Sequence, residues 1–429
     1  MFNFAFATGI ENSAPTIDNG AKRVDELEKC GFYVHWRTDF ALVKDLGLDF
    51  LRFGPPIHRT WTGPDRYDWE FADLTFGQLR AQNTVPIVDL CHFGVPDWLG
   101  DFQNPDFPAL FAGYARAFAA RYPWVQLYTP VNEMFVCASF SARLGWWNEQ
   151  LKDERAFVAA LKHLVQANIL AMEAILEVRP DALFIQSESS EYFHPETPAA
   201  TVWTDRYNAE RFLSLDLNYG RSVDAQTYAY LLEHGMKPEE YAFFMRRALR
   251  NHCIMGNDYY ATNEHWVAED GTVTTAGEVF GYSEITREYF ERYRLPVMHT
   301  ETNIRMEAEE AAAVHWLKKQ WANVLRVRRA GIPVLGFTWY SLTDQVDWDS
   351  ALTLDRGQVN RLGLFDLDRR PRQVGHAFRQ LVGDWKAVLA RQSACLTLPV
   401  IMPDEADSPA VEAQGRRARE VRLAAAARS

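Results

Sequence analysis

Glu133 and Glu301 are the two residues whose type and setting could do chemistry together. Glu133 ends a short apolar run at 127–133 (Leu-Tyr-Thr-Pro-Val-Asn-Glu), next to Asn132. Glu301 lies 168 residues further on, in a second such run at 295–303 (Leu-Pro-Val-Met-His-Thr-Glu-Thr-Asn). Neighbouring side chains along a strand point to opposite faces, so Asn132 and Glu133 would diverge at the carboxyl end of theirs. Two carboxyl groups at two strand ends suit cleavage of a glycosidic bond, which needs one as acid and base and one as nucleophile or as base toward water. A single glutamate at a strand end is as readily a plain surface residue. The pairing therefore depends on what positions the two runs.

Short apolar runs alternate with longer helical patterns along the chain. The spacing predicts strands over 2–7, 49–53, 85–90, 127–133, 182–186, 253–260, 296–300 and 333–339. It predicts helices over 34–46, 107–121, 155–178 and 316–329, the third stopping before Pro180. The stretch 191–250 is long enough for an elaborated loop plus a helix. Eight strands, each followed by a helical or long connecting segment, make an α/β chain with the count of a (β/α)8 barrel. A parallel sheet covered on both faces also explains why the strands read as continuous apolar runs. A doubly wound open sheet is disfavoured because no Gly-rich phosphate loop follows the first strand. We find no internal repeat or linker, so one catalytic barrel is expected over 1–389. Residues 390–429 are expected to form a flexible tail, rich in Ala, Arg, Glu and Pro from 399 onward.

At 429 residues, 48% hydrophobic and 14% aromatic, the chain can bury a large core. Its formal charge of −12, without a Lys/Arg cluster that could track a phosphate backbone, argues against nucleic acid as a partner. The five cysteines are odd in number, widely spaced and lack a CxxC pair, which argues against a disulfide framework and a zinc site and suggests a reducing, cytoplasmic setting. No run is expected to span a membrane, and the apolar N-terminus lacks the basic start of a signal peptide. Fourteen tryptophans and seventeen tyrosines are weak support for sugar binding, since aromatic faces stack on sugar rings but most serve the core.

In such a barrel the active site lies at the carboxyl ends of the strands. The residues there are Arg52, His92, Asn132, Glu133, Glu188, Asp258, Tyr259, Tyr260, Glu301, Trp339 and Tyr340. His92 has no partner histidine at helical spacing, so no metal site is expected. There is no Gly-x-Ser-x-Gly elbow either, which disfavours a serine hydrolase.

From about Phe4 to about Leu381 these residues resemble glycoside hydrolase family 1, the β-glucosidase family of (β/α)8 retaining enzymes. Residues 129–134 resemble its Thr-x-Asn-Glu-Pro acid/base motif, with Met134 for the proline, and 299–303 resemble the nucleophile motif Ile-Thr-Glu-Asn-Gly, with Thr302 for the first Asn. Leu51-Arg52-Phe53 resembles the Tyr-Arg-Phe segment whose arginine meets the nucleophile, and 91–96 resemble His-Trp-Asp-Leu-Pro. Residues 256–261 resemble Gly-x-Asn-Tyr-Tyr-Thr, with Asp258 for the Asn. Residues 340–348 resemble Trp-Ser-Leu-Leu-Asp-Asn-Phe-Glu-Trp, and 362–369 the Phe-Gly-Leu-x-x-x-Asp stretch after it. Seven motifs in order at matching spacing rarely arise by chance.

The resemblance implies Glu133 as acid/base, Glu301 as nucleophile, and Arg52, Asn132 and Tyr260 in support, with no cofactor and a small glycoside or oligosaccharide as substrate. It implies a sugar-binding shell that departs from the family. Glu11 or Asn12 would stand in for an N-terminal Gln, Asp347 would replace a Glu that holds the 4- and 6-hydroxyls, and Tyr340 beside Trp339 would take the place of a Trp, with Trp348 after them. His92 fits a sugar 3-hydroxyl donor or a structural histidine. Trp146 and Trp147 would floor the leaving-group subsite, or serve core or lid. Glu188 would face a polar substrate or solvent, and Asp258 would bind substrate. Transglycosylation by the same two glutamates and a carbohydrate-binding barrel without turnover are the alternatives, and the sequence leaves the oligomeric state open.

Overall fold

A computed structural model describes residues 4–247, 249–306, 309–391 and 398–403. Eight parallel strands close into a barrel: β1 (Ala5–Gly9), β2 (Phe50–Arg52), β3 (Val85–Cys91), β4 (Leu127–Val131), β5 (Leu183–Ser189), β6 (Cys253–Asp258), β7 (Val297–Glu301) and β8 (Val334–Trp339). They pair in chain order, and β1 closes the ring against both β2 and β8. All eight predicted strands are present, shifted by a few residues at their ends. Phe2, expected in the first, lies outside the described residues.

Helices of 12 residues or more number seven among the described residues: α1 (Phe32–Asp45), α2 (Glu70–Ala81), α3 (Phe107–Arg121), α4 (Glu154–Val178), α5 (Gly281–Tyr293), α6 (Ala311–Arg329) and α7 (Gln373–Arg391). Local chemistry sets several of their ends. Asp153 caps α4 by accepting from the Ala156 N–H, and α3 begins with a proline in its first turn, where no N–H is needed. Between β5 and β6, where a loop and one helix were expected, four short helices fill the connection: Thr201–Glu210, Leu213–Asn218, Ala225–Glu233 and Pro238–Arg246.

Contrary to expectation, one segment does meet the length and composition of a membrane span, the 25-residue α4. Its most apolar window is 67% buried, and it packs along α3 against the barrel, which accounts for the apolar run as a core face.

Two apolar layers follow from strand alternation. One set of strand residues, with Phe6, Leu51, Val88, Tyr128 and Phe337, packs outward beneath the helices. The other fills the barrel interior with Ala5, Ala7, Phe50, Val85, Ile87, Leu127, Ile185, Ile254, Met298 and Leu335.

That inner cluster corrects the expectation of a flexible tail from residue 390. Leu398 and Val400, 1% and 5% exposed, join it, with Met402 packed alongside. Gln126, just before β4, donates to the Pro399 carbonyl and accepts from the Ile401 N–H, each at 3.0 Å. Residues 398–402 thus close the amino-terminal end of the barrel. Composition hid this because two apolar side chains on a short segment suffice when the surface they cover is already apolar. The remainder of the expected tail, 392–397 and 404–429, lies outside the described residues. Replacing both Leu398 and Val400 by alanine should cost about 3 kcal/mol of stability and lower the Tm by roughly 3 °C. A thermal melt indistinguishable from wild type would show that the segment does not plug the barrel.

Candidate active site

Arg52, the last residue of β2, is the buried cation around which the carboxyl ends of the strands are arranged. Its guanidinium donates to Glu301 Oε1 and to Asn132 Oδ1, and pairs with both oxygens of Asp89 at 2.9 and 3.1 Å. Burial alone would lower the Arg52 pKa, but Asp89 and Glu301 outweigh it and hold the guanidinium charged. Tyr260 OH donates to the other Glu301 oxygen at 2.6 Å, so both oxygens of this carboxylate are fixed. Asn132 is placed by its N–H on the Cys91 carbonyl at 3.0 Å, and its side-chain nitrogen lies 3.2 Å from His92 Nε2. The far ring nitrogen of His92 meets Asp89 Oδ2 at 3.2 Å. Asp89 therefore orients both the arginine and the histidine. Sequence reading passed over it, although a lone carboxylate inside the buried run Val85–Cys91 is a detectable signal.

Glu133 follows β4 with φ 39° and ψ 63°, a left-handed conformation uncommon for a residue with a side chain. Its N–H is bonded to the Ser187 carbonyl on β5 at 3.1 Å, and its carbonyl accepts from Cys137 at 2.8 Å, opening the short helix Met134–Ala138. This turn swings the side chain out of the strand's alternation. Burial, with Asp258, Glu301 and Glu188 nearby, pushes the Glu133 carboxyl well above the ordinary range despite Arg52. Its proton is thus held into the pH range where a leaving group would need it.

At the end of the site near β1 and β8, Tyr340 is buried with its ring nearly parallel to His92 at 6.1 Å, and its hydroxyl donates to the Ile10 carbonyl. The approach requires glycine at position 9, where a Cβ would sit 2.3 Å from the Tyr340 ring. Glu11 is buried, accepts from the Ser13 N–H at 2.9 Å and from Gln345 Nε2 at 3.2 Å, and has its pKa raised chiefly by burial. Asn12 is also buried, and its Oδ1 has no protein partner among the described residues. Gln345 was not anticipated. Trp348 stands half-buried and edge-on to Phe93 and Trp147, with its indole N–H unpaired. Trp146 is 37% exposed against Phe140, open on the rim.

Four expected substrate contacts are otherwise engaged. Asp347 is fully buried and saturated: Lys29 Nζ donates to it at 2.6 Å, and the backbone N–H groups of Arg356, Gly357 and Gln358 at 2.8 to 3.0 Å. These donors outweigh burial and hold its pKa down. Trp339 is buried with its indole N–H on the Leu362 carbonyl, and Trp147 likewise on the Ala351 carbonyl, so both serve the core. Glu188 accepts from the Phe135 N–H at 3.3 Å and from Ser214 Oγ at 2.7 Å, which makes it a strut for the helix that follows Glu133. Only the tertiary packing of 201–218 and 347–358 supplies these partners.

An eight-stranded barrel with two buried glutamates, one just after β4 and left to hold a proton, the other ending β7 and gripped by an arginine, defines an enzyme that cleaves glycosidic bonds. A model of glycosyl hydrolase family 1 matches residues 17–237, just over half of the chain, and the protein belongs to that family. It is a glycoside hydrolase. It is similar to β-glucosidase A of Thermotoga maritima, 23% identical over 376 residues, spanning 79% of this chain and 82% of that one. It also matches the 6-phospho-β-glucosidase AscB of Escherichia coli, 26% identical over 166 residues, 36% of this chain and 35% of that one. Among solved structures, the Thermotoga maritima β-glucosidase in complex with deoxynojirimycin superposes with a TM-score of 0.74 at 16% identity, over 89% of this chain and 98% of that one.

Two outcomes check these placements. Asp347→Ala should destabilise the fold by about 3 to 5 kcal/mol, because it strands buried donors and Lys29, while leaving the ratio of kcat/KM for β-glucoside over β-xyloside within about twofold. A changed ratio at unchanged Tm would put Asp347 on the sugar. Glu188, raised by burial to about 7, binds a proton in the folded chain that the unfolded chain releases near 4.3. Its neutral form therefore supports the fold fully at low pH, and that support is lost as pH rises through about 7. Glu188→Gln should shrink the drop in Tm between about pH 5 and about pH 8; an identical drop in both proteins would contradict the assignment.

Proposed function

We propose that this protein is a retaining β-glycosidase that works by double displacement through a covalent glycosyl-enzyme intermediate. The observation that carries the reading is the asymmetry of the two glutamates. Glu301 has a donor fixed on each oxygen, from Arg52 and Tyr260, as an anionic nucleophile requires. Glu133 has a pKa raised by burial and like charge, as a general acid requires. Glu133 protonates the departing oxygen as Glu301 attacks the anomeric carbon. Glu133, now ionised, then takes a proton from water as the water displaces Glu301. Asn132, held between Arg52 and His92, is placed to bond the sugar 2-hydroxyl, an interaction that strengthens as positive charge builds on the ring.

For the glycone, Asn12, whose Oδ1 has no protein partner among the described residues, offers an acceptor suited to a hydroxyl group. Lys29 is paired with Asp347 and Asp355, each at 2.6 Å, so it is not free to meet a sugar phosphate. This supports a glycone without phosphate. Trp146 and Trp348 support a mouth that accepts a flat or sugar leaving group. Cys30, Cys91, Cys137 and Cys253 are buried free thiols, which fits a reducing compartment.

The test uses aryl β-glycosides. Glu301→Gln should abolish turnover of all of them, because no covalent intermediate forms. Glu133→Gln should spare the first step for dinitrophenolate, which needs no protonation, and external azide should rescue the second step as a β-glycosyl azide. An α-configured azide would mean inversion. Equal, azide-insensitive losses in both variants would remove the role assignment.

A further inference from the structure

Asp258 is a carboxyl that the double displacement leaves unused, and it lies between the two glutamates in the order of the barrel. Going round the ring, Glu133 follows β4, Ser187 is on β5, Asp258 ends β6 and Glu301 ends β7. A register shift between Asn257 and Asp258 sets Asp258 directly opposite Glu301 and, on the other side, opposite Ser189. Ser187 Oγ lies 2.8 and 2.6 Å from the two Asp258 oxygens, and the Ser187 carbonyl accepts the N–H of Glu133. Four consecutive strands are thus linked from acid/base to nucleophile through one aspartate, fully buried and without a route to solvent charge screening. The family motif that 256–261 resembles has an asparagine at this position. An amide there could not ionise; this carboxyl can.

We infer that Asp258 is a positioning residue for the catalytic proton: its carboxyl, held by Ser187 between β4 and β7, sets a second acidic group beside Glu133 in addition to Glu301. The groups that face Glu133 include Asp258 from β6, Glu301 from β7, Glu188 from β5, Arg52 from β2, Tyr260 after β6 and Cys137 on the helix that follows Glu133. Those that face Asp258 include Glu133, Glu301, Arg52, Ser187, Thr300, Tyr260 and Tyr282. Asp258 has a hydroxyl donor and the arginine to favour its charged form. Its pKa is nonetheless raised, mainly by burial and by Glu301. Of the charges facing Glu133, Asp258 is the largest contributor to the upward shift, ahead of Glu301. The consequence for turnover is an alkaline limb of the pH profile displaced upward.

This role rests on the assignment of Glu133 as acid/base, so the experiment reads the proton directly as well as the rate. In protein labelled with 13C at the glutamate carboxyls, the resonance lost in Glu133→Gln is that of Glu133. Its midpoint should fall by about one pH unit or more in Asp258→Asn, and Asp258→Glu, which restores the charge, should recover most of the shift. The alkaline limb of kcat/KM for an aryl β-glycoside should move down with it, while the acid limb moves less. An unmoved Glu133 midpoint in a folded Asp258→Asn protein overturns the inference, whatever the protein does to glycosides. A midpoint that shifts in a protein with no glycosidase activity upholds the coupling and instead refutes the retaining reading.

Discussion

The arrangement depends on one buried positive charge. Arg52 sits at the end of β2 with almost no exposure, and a guanidinium taken out of water is tolerated only where anions and acceptors surround it. Asp89 satisfies one edge, and Glu301 and Asn132 take the rest. Because the guanidinium is planar and its donors are fixed, it sets the relative positions of three strand ends at once. Removing it would leave two buried carboxylates facing each other without a counterion. Glu301, Asn132 beside Glu133, and the histidine held by Asp89 all take their places around this fork.

Around it, the same kind of side chain serves two ends according to its surroundings. Glu301 has strong donors on both oxygens, and Glu133 sits among carboxyls with the arginine further away. Other carboxylates at this end of the barrel are structural. Asp347 gathers three backbone N–H groups and Lys29, and Glu188 binds the helix after Glu133. Glu264 accepts from Val279, Phe280 and Gly281 at the start of α5, and from Tyr259. A carboxylate whose oxygens are already filled by protein donors has little left to offer a sugar hydroxyl. Saturation, more than location, separates the binding residues from the struts.

The left-handed backbone at Glu133 belongs to the same economy of position. A residue with a side chain adopts φ near 40° only when its surroundings enforce it. Here the N–H is bonded across to β5 and the carbonyl starts a helix that Glu188 anchors. The strand's alternation is broken where two successive side chains, Asn132 and Glu133, both meet the buried charges around Arg52.

Patterning along the chain was enough to read the barrel. Eight apolar runs alternating with helices leave few ways to cover a parallel sheet, and strand ends are local enough to read, so Arg52, Asn132, Glu133, Tyr260 and Glu301 were all legible. Their contacts with one another are long-range, yet the fold class implies them. Which polar groups are already satisfied is settled by long-range packing. Asp347, Glu188, Trp339 and Trp147 look like binding residues until distant loops supply their partners, and Asp89 and Gln345 gain their meaning from neighbours remote in the chain. Residues 398–402 read as tail because their composition is weakly apolar, but the open amino-terminal end of the barrel gives Leu398 and Val400 an apolar surface to cover. Patterning depends on each residue's own hydrophobicity and is local; hydrogen-bond saturation depends on pairs, and the pairs are made by folding.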